Sequence, residues 1–265
     1  MAPSFVYEGE MTSVPPIAVQ LYSLREQAKD DFASVLRRVA EIGYVGVELA
    51  GFHDLTPSQF TTVTTETGLR VCSAHAGNLD PDVFNPLLDD VQSVGCDTVV
   101  AAFLPRTSFA GLDAVKQTAE TLDAANMIAR SRGMSLGYHN HWWEFETLID
   151  GRSAWSDLFE RLDPTVFAEL DIYWATVGGA DPVDAMVEAG SRIRLLHVKD
   201  GPADDPKSSM VAVGSGTLDF DRVLAAAPGA AWHIVELDRC DTDMFSAVAD
   251  SHRFLVGGGF SAGRT

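Results

Sequence analysis

"QLYSLREQAKDD" (residues 20–31) follows the first short apolar run of the chain, "IAVQLY" (17–22), and contains no glycine. An open, doubly wound α/β sheet usually carries a glycine-rich phosphate turn after its first strand, because glycine lets the backbone approach a pyrophosphate where the next helix begins. The absence of that turn argues against a dinucleotide fold. Working outward, the same strand-like signal recurs at "GVELAG" (46–51), "LRVCSAH" (69–75), "DTVVAAF" (97–103), "MSLGYH" (134–139), "FAELDI" (167–172), "RLLHVK" (194–199) and "WHIVEL" (232–237). Between these runs lie segments of helical period, such as "DDFASVLRRVAEIG", "GLDAVKQTAETLDAANMIARSRG" and "DPVDAMVEAG". The first and third close on a glycine suited to a helix end. Eight strand-then-helix units, with no internal repeat, low-complexity linker or break in composition, predict an α/β fold made of one (β/α)8 barrel. It occupies residues 1–265, with 1–16 as an N-terminal extension and 257–265 as a flexible tail.

The composition sets the boundaries of function. Of 265 residues, 46% are hydrophobic, enough for a sizeable core. Lys and Arg number 19 against 38 Asp and Glu, and the net charge of −19 repels phosphate backbones and anionic membrane surfaces. The start, "MAPSFVYEGEMTSVPP", carries Glu8 and Glu10, lacks a basic region and has no long apolar stretch. The expectation is a cytoplasmic protein with a small carbohydrate as partner, no nucleic acid or membrane, and homo-oligomerisation left open. Cys72, Cys96 and Cys240 are odd in number and widely spaced, and read as small core residues rather than a disulfide or zinc framework.

In a barrel of this type, active-site groups stand at the carboxyl ends of the strands. Those ends carry Gln20 and Tyr22, Glu48 with His53 in the following loop, His75, His139 and His141, Asp171, His197 with Lys199, and Glu236 with Asp238. Only the fourth strand ends mostly apolar. Packing alone does not account for so many polar ends, because buried carboxylates and imidazoles need partners or a metal. The two-residue period of a strand puts Gly137, His139 and His141 on one face, Glu169 with Asp171, His197 with Lys199, and Ile234 with Glu236. Asp, Glu and His donors without Cys suit a hard or borderline divalent ion: Mn2+, Mg2+, Co2+ or Zn2+. Each residue also has a plainer reading. His53, His75, His139 and Glu48 serve equally well as polar lining or as partners orienting a ligand, and Trp142, Trp143, Phe145, Trp174 and Phe103 as rim packing or a sugar-stacking wall. "VGSGTLDF" has a G-x-G but lacks the rest of a nucleotide fingerprint, and reads as a turn before the helix "DFDRVLAAA".

The stretches "VQLYSLR", "GYVGVELAG", "YHNHWWEFE", "ELDIYWATVGGADP", "LLHVKD", "VGSGTLDF" and "IVELD" resemble the xylose isomerase-like TIM barrels described as sugar phosphate isomerases/epimerases. The resemblance runs from about Ile17 to Leu255. It implies one divalent metal, Mn2+ foremost, held by a Glu/Asp/His/Glu set at the ends of strands five to eight. Asp171, His197 and Glu236 match the last three positions. Where ketose epimerases of the family have a glutamate ending strand five, this chain has His139 in "YHNH". The nearest acid, Glu144, is then the expected fourth ligand, with His141 or His139 as alternatives. In such epimerases the strand-five and strand-eight acids carry protons, which casts Glu144 and Glu236 as catalytic. A histidine-rich strand five lies closer to the dehydratase and lyase branches of the family, where histidine carries the proton.

The chemistry open to such a site follows from the donors. A metal polarises a sugar carbonyl, a base removes the neighbouring carbon-bound proton, and the enediolate is reprotonated or expels a β-substituent. His141, with an imidazole's ordinary pKa, is the expected base. Lys199 or His75 would polarise oxygen or protonate a leaving group. Gln20, Glu48, His53, His75, His139 and Trp174 are the expected substrate contacts. Two other classes compete: a DNA-repair endonuclease, which would need a basic groove, and a non-catalytic sugar-binding barrel, which would not need aligned carboxylates.

Overall fold

The computed structural model describes residues 14–265. Eight parallel strands form its centre: β1 (Ile17–Gln20), β2 (Gly46–Leu49), β3 (Arg70–Ala76), β4 (Thr98–Ala101), β5 (Ser135–His139), β6 (Phe167–Asp171), β7 (Ile193–Val198) and β8 (Trp232–Val235). Each pairs with its neighbours in sequence, and β1 closes the barrel on β8 through Ile17↔His233 and Val19↔Val235. All eight expected strands are present, most shorter at one or both ends because the polar strand ends turn out of the ladder into loops.

Helices pack outside the strands, and their boundaries follow local chemistry. Helix Phe32–Ile42 starts where the Asp31 side chain accepts from the Ser34 N–H, and stops at Gly43, whose φ of 118° is open to glycine. Helix Pro57–Thr67 begins with a reciprocal capping box between Thr56 and Gln59. No helix among the described residues is long and apolar enough to cross a membrane.

Two apolar layers hold the fold. The larger lies between strands and helices. The smaller fills the barrel interior with Ala18, Cys72, Val100, Phe167, Leu195 and Ile234. Gly137 makes room for the Phe167 ring, which a Cβ at 137 would strike. This inner plug gives the polar strand ends a floor. The ladder also shifts register between Val47 and Glu48 and between Ala168 and Glu169, just before two buried acids. Such irregularities re-aim a side chain.

Three differences from expectation lie outside the barrel wall. Residues 257–265 do not hang free. Ile17 donates to the Ala262 carbonyl, Ala262 to Pro15 and Arg264 to Gly43, while the Arg264 guanidinium caps Thr67 and Gly68, so the tail is docked by backbone pairing. Of the expected N-terminal extension, residues 1–13, with Glu8 and Glu10, lie outside the described residues. Beyond β5 the chain adds a short helix, Trp143–Glu146, and a two-stranded ribbon, Leu148–Ile149 with Arg152–Ser153, neither of which strand periodicity signals. The cysteines are free, and Cys72 and Cys96 are buried as expected, whereas Cys240 is half-buried in the loop after β8.

Candidate active site

Directly above the apolar plug lies a tier of buried ionisable groups. The carboxylate of Glu48 accepts from the Gln20 amide at 2.7 Å and the Ser73 hydroxyl at 2.6 Å, and lies 2.6 Å from His197 Nε2. Glu169 Oε2 lies 2.8 Å from His75 Nε2, 3.2 Å from His139 Nδ1 and 3.2 Å from His197 Nε2. Burial opposes charge on His75 and His197, yet the facing carboxylates outweigh it: His75 is lifted to about 10 and His197 well above its ordinary value.

The second tier faces the cleft. His197 Nδ1 lies 2.9 Å from Glu236, His139 Nε2 lies 3.9 Å from Asp171, and Lys199 Nζ reaches Asp171 at 3.0 Å, Glu236 at 2.6 Å and Asp238 at 2.7 Å. Burial raises Asp171 to about 6 against the pull of Lys199. It raises Glu236 less than Lys199 and His197 lower it, so that carboxyl lies below the usual range. Lys199, buried among three carboxylates, is held more firmly protonated than a free lysine.

One ligand atom each from His139, Asp171, His197 and Glu236 lies within 4.8 Å of the others. A second grouping, His75, His139, Glu169 and His197, shares both middle imidazoles. Asp171 Oδ2 and His139 Nδ1 are buried without a well-aligned hydrogen bond, although Asp171 is close to Lys199 and His139 close to Glu169. Proximity without alignment is ion pairing, not a satisfied hydrogen bond. Glu48, Glu169, Asp171 and Glu236 are four buried carboxylates beside one buried ammonium, so the centre needs further positive charge, from protons on the imidazoles or from a divalent ion. The His139/Asp171/His197/Glu236 set fits such an ion by donor type, burial and convergence.

The loop after β5 departs from the sequence reading. Glu144 is buried, but its carboxylate accepts from the Tyr138 hydroxyl and, at 3.0 Å, from the His141 N–H, and it is absent from both donor groupings. Tyr138 belongs to the outward-facing set of β5 and draws Glu144 away from the barrel axis. The fourth donor that the geometry offers is therefore His139. Burial raises Glu144 to about 8, with the Tyr138 hydrogen bond opposing. Asn140 extends β5 by a side chain: its amide donates to the Asp171 carbonyl and accepts from the Asp171 N–H, anchoring Asp171 between strands.

His141 stacks on Trp143 with ring centres 4.4 Å apart and meets Phe103 and His139 edge-on. Burial first, then Lys199, pushes it down to about 3 rather than leaving it near an ordinary imidazole value. Its ring is neutral at neutral pH. Trp174 packs against Trp142, with the Lys199 ammonium 5.4 Å from its ring centre, so it forms part of the wall behind the lysine.

A cleft of about 460 Å³ opens over these groups, lined by Tyr22, Ala50, His75, Gly77, Ala102, Phe103, His139, His141, Glu236 and Asp238. Gln20 and Glu48 lie beneath it and touch other side chains rather than its surface. His53 is not part of it: its φ of 50° turns the exposed ring against Phe32, centres 4.7 Å apart. "VGSGTLDF" proves to be a backbone nest filled from within, since the Asp200 carboxylate accepts from the N–H groups of Gly214, Gly216, Thr217 and Leu218. Those four N–H groups are therefore already taken and are not open to a phosphate. The sequence reading gave Glu169 no role and missed Ser73, Asn140 and Asp200. Strand alternation already places Glu169 beside Asp171, but depth below the cleft has no signature along a strand.

The family model of the xylose isomerase-like TIM barrel matches residues 36–239. An inosose dehydratase of Geobacillus kaustophilus (strain HTA426) is 25% identical over 190 residues, 63% of this chain and 61% of the dehydratase, so the match spans less than two thirds of that relative. A crystal structure of a sugar phosphate isomerase/epimerase from Parabacteroides distasonis ATCC 8503 superposes with a TM-score of 0.81 at 24% identity, covering 94% of this chain and 100% of that one. The apo form of a 3-keto-D-glucoside 4-epimerase from E. coli gives a TM-score of 0.67 at 20% identity over 92% of this chain and 99% of that one. These two likenesses concern the fold. With a matching family model that covers well over half of its length, the chain belongs to the xylose isomerase-like TIM barrel family.

Proposed function

We propose that this protein is a divalent-metal-dependent enzyme that carries out enolisation-type proton transfer on a small, unphosphorylated sugar, keto-sugar or cyclitol. The observation that carries the reading is the buried set His139, Asp171, His197 and Glu236 at the base of an open cleft, with the Lys199 ammonium among its carboxylates. These four residues would hold the ion, Mn2+ being the first choice, and a bound ion supplies Lewis acidity that lowers the cost of negative charge on oxygen beside the reacting carbon. Among the relatives, the names inosose dehydratase and 3-keto-D-glucoside 4-epimerase both refer to chemistry on a carbonyl-bearing or cyclitol ring, which supports the same class here.

The chain's own residues supply the rest. His141 is the proton carrier in this reading: it lines the cleft, is neutral, makes no hydrogen bond through Nδ1, and is fixed in plane by Trp143. Lys199, buried and kept protonated by its three carboxylate neighbours, supplies positive charge to the site from behind Asp171 and Glu236. Glu236 lines the same cleft and is the second proton-exchanging group in this reading. A neutral substrate is supported by the net charge of −19 and by the occupied nest at Asp200.

The test incubates Mn2+-loaded protein with 3-keto-glucosides, inosose and free ketoses in deuterated water and follows the products by NMR. Loss of the proton next to the carbonyl is expected, with deuterium in its place wherever the enediolate is reprotonated at that carbon. His141→Asn should cut turnover by about 10²-fold or more while metal content stays at the wild-type level. A dehydrated or enol-ether product identifies elimination, and a stereoisomer or ketose/aldose pair identifies epimerisation or isomerisation. Turnover without loss or exchange of that proton would remove His141 as carbon base.

A further inference from the structure

The mouth of the cleft is built differently from its base. Among the exposed large hydrophobic residues, Tyr22 (44% exposed) and Phe103 (51% exposed) line it, and both are braced. The Arg25 guanidinium covers one face of Tyr22 at 4.0 Å from its centre while donating to the Tyr22 and Asp238 carbonyls at 2.7 and 2.8 Å. Phe103 is held edge-on by His141 and Trp143, with ring centres 5.3 and 5.6 Å away. Fixed aromatic rings left facing water at a polar cleft are suited to stack on a ligand, since little side-chain entropy remains to be lost.

The cleft also continues. Phe103 and Gly77 line both it and a neighbouring groove of about 720 Å³, whose walls carry Leu79, Pro81, Leu104 and Ile128 together with the polar Asp80, Gln117 and Glu120. A Cβ on Gly77 would meet no atom within 4 Å, and Gly77 does not have a positive φ, so the passage at this point is open and its glycine is not required by the backbone. Ionisable groups thus converge at the cleft end, while the groove end offers a run of apolar side chains bordered by polar ones.

We propose that the substrate is a glycoside with a planar apolar aglycone, the sugar ring seated over the polar base and the aglycone passing between Phe103 and Gly77 into the apolar groove, with Tyr22 as the opposite wall. This rests on reading the cleft as a sugar site. It adds to that reading the chemistry of the part of the substrate that does not react.

Calorimetric titration of the Mn2+-loaded protein with 2-naphthyl β-D-glucopyranoside, methyl β-D-glucopyranoside and cellobiose tests it by binding alone. The naphthyl glycoside is expected to bind about tenfold or more tightly than the methyl glycoside, a stacked ring and its burial being sufficient for that difference. In Gly77→Phe, which fills the passage, and in Phe103→Ala, which removes the stacking face, the ratio of the two Kd values should fall toward one. Equal affinities in the wild type, or a ratio unchanged in both variants, would overturn the proposal while leaving the sugar-site reading in place. A gain for cellobiose equal to that for the naphthyl glycoside would overturn the apolar assignment of the groove. If neither monoglucoside binds, the aglycone proposal falls, while the sugar-site reading stands or falls on the keto-glucoside, inosose and ketose incubations.

Discussion

His197 presents one ring nitrogen to each tier of the site: Nε2 to Glu48 at 2.6 Å and Nδ1 to Glu236 at 2.9 Å. A carboxylate behind an imidazole fixes its tautomer and its orientation, so Glu48 decides which nitrogen is offered on the cleft side. Glu48→Gln keeps the shape but weakens that control, and is expected to lower Mn2+ affinity about 10–100-fold. Competition against a metal-binding dye reads this directly, and an unchanged affinity would reduce Glu48 to structural filling. The donor set is checked by content. Asp171→Ala, Glu236→Ala and His139→Ala should lose bound Mn2+ in elemental analysis, whereas Glu144→Ala should keep it, because Glu144 is occupied by Tyr138 and the His141 backbone. Stoichiometric metal in both Asp171→Ala and Glu236→Ala would sink the site. Asp171, His197 and Glu236 were legible in the sequence, since strand alternation at a barrel end is enough to aim them inward. The strand-five donor was not. Whether His139, His141 or Glu144 faces the axis depends on where β5 ends and on a tyrosine that faces outward.

At the scale of elements, the loop after β7 shows how one side chain organises a segment. Asp200 accepts from Gly201 at 2.9 Å as well as from Gly214, Gly216, Thr217 and Leu218, and a Cβ at Gly216 would run into its carboxylate. Glycine is required at 216 by this close approach. Removing the acceptor leaves several N–H groups to find water or strain the loop, so Asp200→Ala is expected to destabilise the protein by about 2–4 kcal/mol in urea unfolding. A loss below about 0.5 kcal/mol would mean that water replaces the carboxylate freely. The sequence marks this loop as glycine-bearing. It does not say which anion the loop embraces, because the acceptor lies 14 to 18 residues away and meets it only after folding.

For the whole molecule, closure of β1 on β8 and docking of the C-terminal residues seal the end of the barrel opposite the cleft. His233 on β8 pairs with Ser261 at 2.9 Å and is pushed down to about 4 by burial. The unfolded chain binds a proton there near pH 6.5 while the folded chain resists it until about pH 4. The stabilising contribution is therefore complete above about pH 6.5 and is lost as pH falls toward 4, in total of order 3 kcal/mol. Unfolding free energies measured across that window should fall less steeply in His233→Gln than in the wild type. Identical slopes would show that protonation of His233 is not what the acid limb reports.

Strand and helix succession, the closed architecture and the polar character of the strand ends were determined by the sequence alone. Each rests on periodicity and composition, which act between near neighbours: every second residue of a strand faces one way, and eight such strands with intervening helices close on themselves. Tertiary structure decided what those rules do not reach. It turned His53 against Phe32, tied Glu144 to Tyr138, set Glu48 and Glu169 beneath the tier of Asp171, Lys199 and Glu236 through register shifts, and filled the glycine-rich nest with Asp200. It also tied residues 257–265 across the barrel base. These outcomes depend on contacts beyond the reach of strand and helix periodicity, and for the buried polar groups burial makes a pairing too costly to leave unmade.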